Sequence, residues 1–544
     1  MAAIESTMMH APLTVARLRA HGARHHGHAR VASFDGAGID SVTFGEVAER
    51  SERLAAGLSR LGVEPGDRVA TLCWNHQAHM EAYLAVPSMG AVLHTLNLRL
   101  FSEQLAFVIE HAEDRVLIVD ASLLELLANQ WHRLPSVSTV IVVGNAAEWP
   151  DLAGRDVLAY EEVLTLGADF AWPELDENAA AAICYTSGTT GDPKGVVYSQ
   201  RTVFMHSLAS MARDTFGIGQ DDRILLLPPM FHANAWGLPY SAWLAGADLI
   251  MPGEHLQPDK VRRLIELQQP TFSAMVPTLI NDLLRAHRSE PLDMHSFRLL
   301  VSGGSAVAPA LIRAVRETWD LPLLQGWGMT ETSPLCALSI PPRDADPQEE
   351  ISWRATAGRP VPGIEVRLRD DDGQPVAENG QDLGELQLRG HWVTGAYHGG
   401  VAPESFTADG WLRTGDVGSI DAAGYVRISD RSKDVIKSGG EWISSVDLEN
   451  RLLEQPAVAE VAIVAVPDPR WEERPLAVIV AAETDGVDFA LLRRALLDQV
   501  AKFWIPEYWA LLPSLPRTSV GKIDKRTLRE QVGSGRLEII ECRD

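Results

Sequence analysis

Residues 186–196 read TSGTTGDPKGV, and this stretch is the most informative part of the sequence. It follows residues 179–185, an apolar run that predicts a buried strand. Glycines let backbone N–H groups turn toward a ligand, hydroxyls add donors, and Lys194 adds a positive charge. The stretch therefore predicts a loop that binds a polyanion such as a triphosphate. Its binding residues would be Thr186, Ser187, Gly188, Thr189, Thr190, Gly191 and Lys194.

A solvent-exposed turn is the alternative, because Gly, Ser, Thr, Asp and Pro also form loops. Two standard nucleotide-binding patterns, G-x-x-x-x-G-K-[ST] and G-x-G-x-x-G after a strand, are absent. Residue types and spacing alone therefore leave both interpretations open.

Length, charge and cysteine spacing limit the classes of function. A chain of 544 residues is too long for one core, so two or more domains are expected. A net charge of −25 argues against nucleic acid, whose binding needs a basic face. The sequence contains no run of 18 apolar residues, so no membrane span is predicted. The four cysteines show no metal or C-x-x-C spacing, which favours free thiols in a reducing cytoplasm.

Strands and helices alternate over most of the chain before residue 364. The pattern predicts helices at residues 45–62, 76–90, 102–112 and 258–268. It predicts strands within residues 66–72, 91–95, 116–119, 139–143, 224–227, 272–276 and 298–301. This alternation indicates an α/β fold with parallel sheets flanked by helices.

The pattern changes after residue 364. Residues 364–369 and 384–390 alternate strictly between apolar and polar, which indicates antiparallel strands of a small β-barrel-like part. After Asp430, the tail is predicted to be a compact α+β domain with helices at 446–454 and 489–501 and strands at 460–466 and 475–482. The predicted domains are therefore residues 1–430 and 431–544.

Several motifs resemble one family in the expected order. TSGTTGDPKGV closely resembles the signature loop of the adenylate-forming enzymes, which include acyl-CoA synthetases, adenylation domains of peptide synthetases and luciferases. The other matching motifs are QGWGMTET at 325–332, TGD at 414–416, RSKDVIKSGGE at 431–441 and GKIDK at 521–525. The resemblance covers essentially the whole chain. It implies a large N-terminal domain, a mobile C-terminal domain hinged at Asp430, and the use of ATP, Mg²⁺ and coenzyme A.

The resemblance also implies where the nucleotide lies. Thr186 and Glu331 would hold Mg²⁺, which prefers oxygen ligands. Asp416 would accept both ribose hydroxyls, and Arg431 would contact the ribose and phosphate. The remaining nucleotide-binding residues implied in this way are Gly303, Gly304, Ser305, Gln325, Gly326, Trp327, Gly328, Met329 and Thr330.

Lys522 is the catalytic lysine by resemblance to the terminal motif of the family. One ammonium between the substrate carboxylate and the α-phosphate reduces the repulsion between them and stabilises charge on phosphorus. Glu331, Thr186 and His232 complete the implied catalytic set. Ser438, Gly439 and Gly440 would approach coenzyme A.

MFHANAWGLPY at 230–240 is the stretch that bears on the acid. It resembles the medium-chain fatty acid and 3-methylmercaptopropionate CoA ligases of bacteria. Relatives that adenylate amino acids carry an aspartate where this chain has His232, so an amino acid is disfavoured. The implied pocket residues are Met230, His232, Trp236, Gly303, Trp327 and Pro334. A short or medium-chain fatty acid or a methylthio acid is expected, and arylalkanoic acids remain open because indoles also accept rings.

Other readings of the motifs stay open. The main alternative is an adenylating enzyme that passes its acyl group to a carrier protein. A luciferase-like oxygenase would share the fold. A degenerate binding protein would be expected to lack Lys522, Asp416 or Glu331, and all three are present. The expected location is the cytoplasm, and a homodimer is left open.

Overall fold

The structure is a computed structural model. It describes residues 6–144, 152, 154–186, 192–431, 434–438, 441–482, 487–497, 499–517 and 523–542, with the backbone alone for 441 and 442.

Two large, mostly parallel sheets form the N-terminal part. The seven-stranded sheet has the order Asp156–Ala159, Thr139–Val143, Asp114–Asp120, Arg68–Leu72, Val92–Thr95, Ala180–Tyr185 and Gly195–Ser199. The nine-stranded sheet has the order Arg359–Pro360, Leu335–Leu338, Leu323–Gly328, Leu299–Ser302, Phe272–Met275, Arg223–Leu225, Asp248–Met251, Arg30–Phe34 and Ile39–Thr43. Among the described strands, the antiparallel pairs lie toward the edges of the sheets. They are Ala180–Tyr185 with Gly195–Ser199, Arg30–Phe34 with Ile39–Thr43, and Leu335–Leu338 with both Leu323–Gly328 and Arg359–Pro360.

Helices cover these sheets. Their bounds are Val15–His25, Phe44–Arg60, Gln77–Ser88, Ser102–Ala112, Tyr160–Val163, Gln200–Met211, Leu238–Ala245, Pro258–Gln268, Pro277–Ser289, Pro309–Trp319 and Glu350–Arg354. The helix at Phe44 shows why such segments begin where they do. The Thr43 side chain accepts from the Glu46 amide, and the Glu46 carboxylate accepts from the Thr43 amide, so two unpaired donors of the first turn are satisfied. The predicted α/β architecture is confirmed.

An antiparallel four-stranded sheet follows, in the order Ile364–Arg369, Gly384–Gly390, Leu412–Ile420 and Val426–Arg431. It contains the two strands predicted from alternation, and it brings residues near 416 and 431 beside each other.

The C-terminal part has its own sheet and core. Its strands are Ile436–Ser438, Glu441–Ile443, Val458–Asp468, Glu472–Ala481, Tyr508–Leu511 and Ile540–Glu541, and its helices are Ser445–Leu453, Phe489–Leu496 and Lys525–Gly533. Two separate apolar clusters, centred on Trp509 and on Leu528, lie on its two faces. The predicted α+β character is confirmed, while the boundary at residue 430 stays a prediction.

Short 3₁₀ segments connect the larger elements. Their bounds are Ala121–Leu127, Trp131–Arg133, Ala233–Gly237, Thr330–Thr332, His398–Gly400, Pro403–Ser405 and Lys502–Trp504. Among the described residues, no helix is both long and apolar enough to cross a bilayer.

Candidate active site

The base of the predicted phosphate loop is closed by two hydrogen bonds. The strands Ala180–Tyr185 and Gly195–Ser199 pair in antiparallel fashion. Just beyond them, the Thr186 amide donates to the Lys194 carbonyl at 2.9 Å, and the Lys194 amide donates to Thr186 Oγ1 at 3.2 Å. The intervening loop residues Ser187, Gly188, Thr189, Thr190 and Gly191 lie outside the described residues.

Lys194 and Glu331 meet at a third side chain, Tyr397. Lys194 Nζ lies 5.0 Å from the centroid of the Tyr397 ring, within the range of a cation–π interaction. The Tyr397 hydroxyl donates to Glu331 Oε1 at 2.6 Å. Sequence analysis did not identify Tyr397, whose only signal was an aromatic residue in a glycine-rich loop. It connects the base of the phosphate loop to the predicted metal ligand.

The Glu331 carboxylate suits a divalent cation. The side chain is half-buried, and the recorded hydrogen bond from Tyr397 engages only one of its oxygens. Within the part of the chain that the structure describes, no Lys, Arg or His forms an ion pair with it. A partly buried carboxylate without a cationic partner is costly unless a cation binds there. The residue therefore fits the Mg²⁺ site expected of it, with Thr186 supplying a neutral oxygen.

Asp416 lies at the centre of the predicted ribose site. Its Oδ2 accepts from Trp327 Nε1 at 2.9 Å, and its Oδ1 pairs with Arg431 Nε at 2.6 Å. The strands Leu412–Ile420 and Val426–Arg431 place Asp416 directly opposite Arg431. A carboxylate has about four acceptor positions, so these two contacts leave capacity for two ribose hydroxyls.

The segment after Gly328 forms a tight turn. The Met329 amide donates to the Pro334 carbonyl at 3.2 Å, and the Thr330 carbonyl accepts from the Tyr198 hydroxyl at 2.7 Å. A Cβ added at Gly328 would lie 1.8 Å from the Pro334 oxygen, so only glycine fits. Pro334 thus contacts the predicted nucleotide segment, and its assignment to the acid pocket stays a prediction.

Gln325 fixes the loop that carries Gly303, Gly304 and Ser305. Its Oε1 accepts from the Val307 amide at 2.7 Å, and the side chain is buried. Gly304 has a φ of +82°, a conformation that favours glycine. Ser305 is exposed.

Gly303 lets an indole lie against the backbone. A Cβ added there would lie 2.8 Å from Trp236 Cη2 and 2.8 Å from the Gly326 carbonyl oxygen. The ring that lies against this glycine is the protein's own Trp236. The predicted acid-pocket residues Gly303 and Trp236 are therefore in contact.

Trp236 is carried by a left-handed turn, Ala233–Gly237. All five residues have positive φ, from 39° to 73°. For residues other than glycine, this conformation costs roughly 1–2 kcal/mol each. One side-chain hydrogen bond opposes that cost, because Thr95 Oγ1 donates to Asn234 Oδ1 at 3.1 Å.

His206 lies between the left-handed turn and the segment that follows Pro334. Its Nε2 accepts from the Leu335 amide at 3.3 Å, and a Cβ added at Gly237 would lie 2.4 Å from its Nδ1. Burial lowers the pKa of His206 to about 4, so the imidazole is neutral near pH 7. Sequence analysis missed this residue, because a histidine inside a helix gives no motif.

Met230 and His232 lead into the left-handed turn. Met230 is fully buried, its amide donates to Asn75 Oδ1 at 2.8 Å, and its carbonyl accepts from the Tyr83 hydroxyl. His232 is half-buried, and its carbonyl accepts from the Ala235 amide at 3.1 Å. The catalytic role of His232 stays a prediction.

Two predicted residues near the domain boundary are described, Asp430 in the strand Val426–Arg431 and Ser438 in the C-terminal part. Asp430 Oδ2 accepts from the Ser445 amide at 2.7 Å, and burial raises the pKa of Asp430. Ser438 Oγ accepts from Arg474 Nη1 at 3.2 Å. Lys522, Gly439 and Gly440 lie outside the described residues. The hinge and the coenzyme A contact stay predictions.

Comparison with known protein families accounts for both parts of the chain. The family described as AMP-binding enzyme matches residues 18–398, which is more than half of the chain. The chain belongs to the AMP-binding enzyme family. The family described as AMP-binding enzyme C-terminal domain matches residues 447–522.

Curated relatives of this AMP-binding enzyme cover nearly the full length. The chain is 40% identical to the 3-methylmercaptopropionyl-CoA ligase of Ruegeria pomeroyi, over 96% of this chain and 98% of the relative. It is 39% identical to the medium-chain-fatty-acid–CoA ligase of Ectopseudomonas oleovorans, over 97% of each chain. It is 43% identical to the long-chain-fatty-acid–CoA ligase of Thermus thermophilus, over 98% of each.

Solved structures agree with the fold. The ATP-bound MatB of Rhodopseudomonas palustris has a TM-score of 0.81 and 26% identity, with 95% of this chain and 98% of the other covered. An anthranilate CoA ligase in complex with anthranoyl-AMP has a TM-score of 0.86 over 97% and 99% of the two chains, at 24% identity. The prediction of an adenylate-forming enzyme of the acyl-CoA ligase group is confirmed, and with it the family's use of ATP, Mg²⁺ and coenzyme A.

Proposed function

We propose that this protein is an AMP-forming ligase that joins a carboxylic acid to coenzyme A. The acid and ATP give an acyl adenylate and pyrophosphate. The thiol of coenzyme A then displaces AMP and gives the acyl-CoA. The acid is a short or medium-chain fatty acid or a methylthio acid.

One observation carries the proposal. Lys194 and Glu331, which are far apart in sequence, flank the same side chain, Tyr397. The amine lies over the face of the ring and the carboxylate accepts from its hydroxyl. This arrangement suits a magnesium triphosphate, since the amine can face the phosphates and the carboxylate the metal.

In the first half-reaction, the protein positions two anions for attack. Asp416 accepts the ribose hydroxyls while Arg431 faces the phosphates. Lys522 brings the substrate carboxylate to the α-phosphate and stabilises the charge that develops on phosphorus. Mg²⁺, held by Glu331 and Thr186, supplies charge neutralisation on the phosphates when bound.

In the second half-reaction, the C-terminal domain turns about Asp430. Ser438, Gly439 and Gly440 then approach coenzyme A. The thiol attacks the acyl carbon, the bond between that carbon and the phosphate oxygen breaks, and AMP leaves. The reaction needs no protein nucleophile, because the adenylate is already an activated acyl group.

The acid side supports an apolar substrate. Trp236 lies against Gly303, and Met230 at the start of the same stretch is buried. His232 stands where amino-acid-activating relatives are expected to carry an aspartate. The Ruegeria and Ectopseudomonas relatives are named for a methylthio acid and for medium-chain acids, which fits this choice. These relatives are CoA ligases, so a carrier protein as acceptor is not favoured.

The thiols support a cytoplasmic location. Cys73, Cys184, Cys336 and Cys542 are free, as expected in a reducing compartment. Light scattering would decide between a monomer and the homodimer left open by the sequence.

The test is a product analysis on the full chain. The protein is mixed with Mg-ATP, coenzyme A and separate acids, from propionate to dodecanoate, with methylmercaptopropionate, aryl acids and amino acids. Mass spectrometry then measures acyl-CoA and AMP. Acyl-CoA that peaks with short or medium-chain or methylthio acids supports the proposal. Pyrophosphate release without acyl-CoA would refute it and indicate a carrier protein as acceptor.

A further inference from the structure

We infer that Tyr397 is a positioning residue for adenylation, whose hydroxyl orients Glu331 toward the metal and whose ring face holds Lys194 beside the triphosphate. The inference rests on the proposed function. It adds a residue that belongs to none of the motifs identified in the sequence.

Glu331 is held at two points from the same loop. The Tyr397 hydroxyl donates to Glu331 Oε1 at 2.6 Å, and the Thr394 amide donates to the Glu331 carbonyl at 2.8 Å. A carboxylate held at its backbone and at one oxygen presents the other oxygen in a fixed direction. Removal of the hydroxyl alone would free the side chain while the backbone contact persists.

Tyr397 is itself well fixed and stays protonated. Its side chain is buried, and its ring packs edge-on against Phe406 with centroids 5.6 Å apart. A tyrosine hydroxyl ordinarily has a pKa of about 10, so it is a donor at physiological pH, as the contact with a carboxylate requires.

The ring face explains how Lys194 is held without being neutralised. Lys194 Nζ lies 5.0 Å from the ring centroid. Across the described ranges, no Asp or Glu lies within ion-pair distance of this amine. A carboxylate partner would neutralise the charge that a phosphate needs. An aromatic face orients the ammonium and leaves its N–H donors for an anion.

The two contacts use different parts of one side chain, so substitutions separate them. Tyr397→Phe removes the hydroxyl and keeps the ring. Tyr397→Leu removes both. A purely structural role for this buried tyrosine would instead predict a lower melting temperature and no specific change in metal binding.

Tyr425 offers a matched control outside the site. Its hydroxyl donates to the Ile340 carbonyl at 2.6 Å, and the Arg359 guanidinium lies 5.1 Å from its ring centroid. It is fully buried. Tyr425→Phe therefore deletes a similar hydroxyl beneath a similar cation, with a backbone carbonyl in place of Glu331.

The experiment titrates Mn²⁺, as a spectroscopic probe for Mg²⁺, into the full-length protein with ATP and without acid, and reads bound metal by electron paramagnetic resonance. We expect Tyr397→Phe to weaken Mn²⁺ binding about 10-fold while metal-free ATP binds as in the wild type. Tyr397→Leu should weaken the binding of both Mn²⁺ and metal-free ATP. Melting temperatures accompany each titration.

Wild-type Mn²⁺ affinity in Tyr397→Phe would overturn the inference, and so would an equal loss in Tyr425→Phe. The titration needs no turnover. If the wild-type protein converts none of the acids tested to acyl-CoA, the proposed function is refuted. The effect of Tyr397 on metal binding is still measured in that case.

Discussion

The nucleotide side and the acid side of the site are built in different ways. On the nucleotide side, charged and polar side chains contact each other directly, as in Trp327–Asp416–Arg431. On the acid side, backbone shape dominates, because a left-handed turn lays Trp236 against Gly303. From this difference we expect side-chain contacts to govern nucleotide binding and the left-handed turn to govern the choice of acid. Substitutions on the two sides should therefore change different kinetic parameters.

Lys522→Ala should have the largest effect. Loss of one preorganised cation at the reacting phosphorus should slow ATP–pyrophosphate exchange about 10²–10³-fold. Thioester formation from supplied acyl adenylate should be largely retained, since that step does not use this cation. Equal loss in both half-reactions would contradict the assigned role.

Asp416→Asn should act on the nucleotide side alone. It removes the ion pair with Arg431, and hydrogen bonds to charged groups contribute about 1.5–3 kcal/mol. We expect the KM for ATP to rise about 10-fold or more, with the rank order of acids unchanged. Asp409→Asn is the control, because Asp409 also pairs with an arginine, Arg367, at an exposed site. A changed acid profile in Asp416→Asn would break the separation of the two sides.

Trp236→Ala should act on the acid side alone. Removal of the indole from Gly303 enlarges the pocket, so kcat/KM should shift toward bulkier acids by about 10-fold, which is the scale of apolar size discrimination. The KM for ATP should stay near the wild-type value. Trp236→Phe keeps a ring, so its preference for bulkier acids should lie between those of the wild type and Trp236→Ala. An unchanged acid profile would remove Trp236 from the pocket.

His206 should have a smaller effect, which is a pH-dependent contribution to the free energy of unfolding. Its native pKa of about 4 lies below the unfolded value near 6.5, so the unfolded state binds more protons between these values. The free energy of unfolding should therefore fall as pH falls from 6.5 toward 4, by at most about 1.4 kcal/mol per pH unit.

Urea unfolding at several pH values measures the slope of the free energy of unfolding against pH. His206→Gln keeps an acceptor for the Leu335 amide and should flatten the slope. Since other groups titrate equally in both proteins, an identical slope in variant and wild type would show that His206 does not contribute.

Local sequence patterns predicted most of the regular elements. Residues 102–112 and 139–143 form the helix and strand expected, with the same bounds. The strand Val458–Asp468 is longer than the predicted 460–466 and includes Pro467 and Asp468. Among the described strands it pairs only with Glu472–Ala481, and an edge position tolerates proline.

The features that local sequence patterns did not predict depend on tertiary structure. The helix predicted at 489–501 ends at Leu496, although no glycine or proline stops it there. The left-handed turn contains only one glycine, Gly237, so no local rule indicates it. Tyr397 and His206 act through contacts with residues distant in sequence, which motif spacing does not report.

An isotope experiment tests the central claim, that the acid is activated as an adenylate. The acid is labelled with ¹⁸O in both carboxylate oxygens and converted with Mg-ATP and coenzyme A. If the carboxylate attacks the α-phosphate, one labelled oxygen remains on phosphorus when the thiol takes the acyl group. The account predicts AMP with one ¹⁸O atom and unlabelled pyrophosphate. Unlabelled AMP, or label in pyrophosphate, would contradict it.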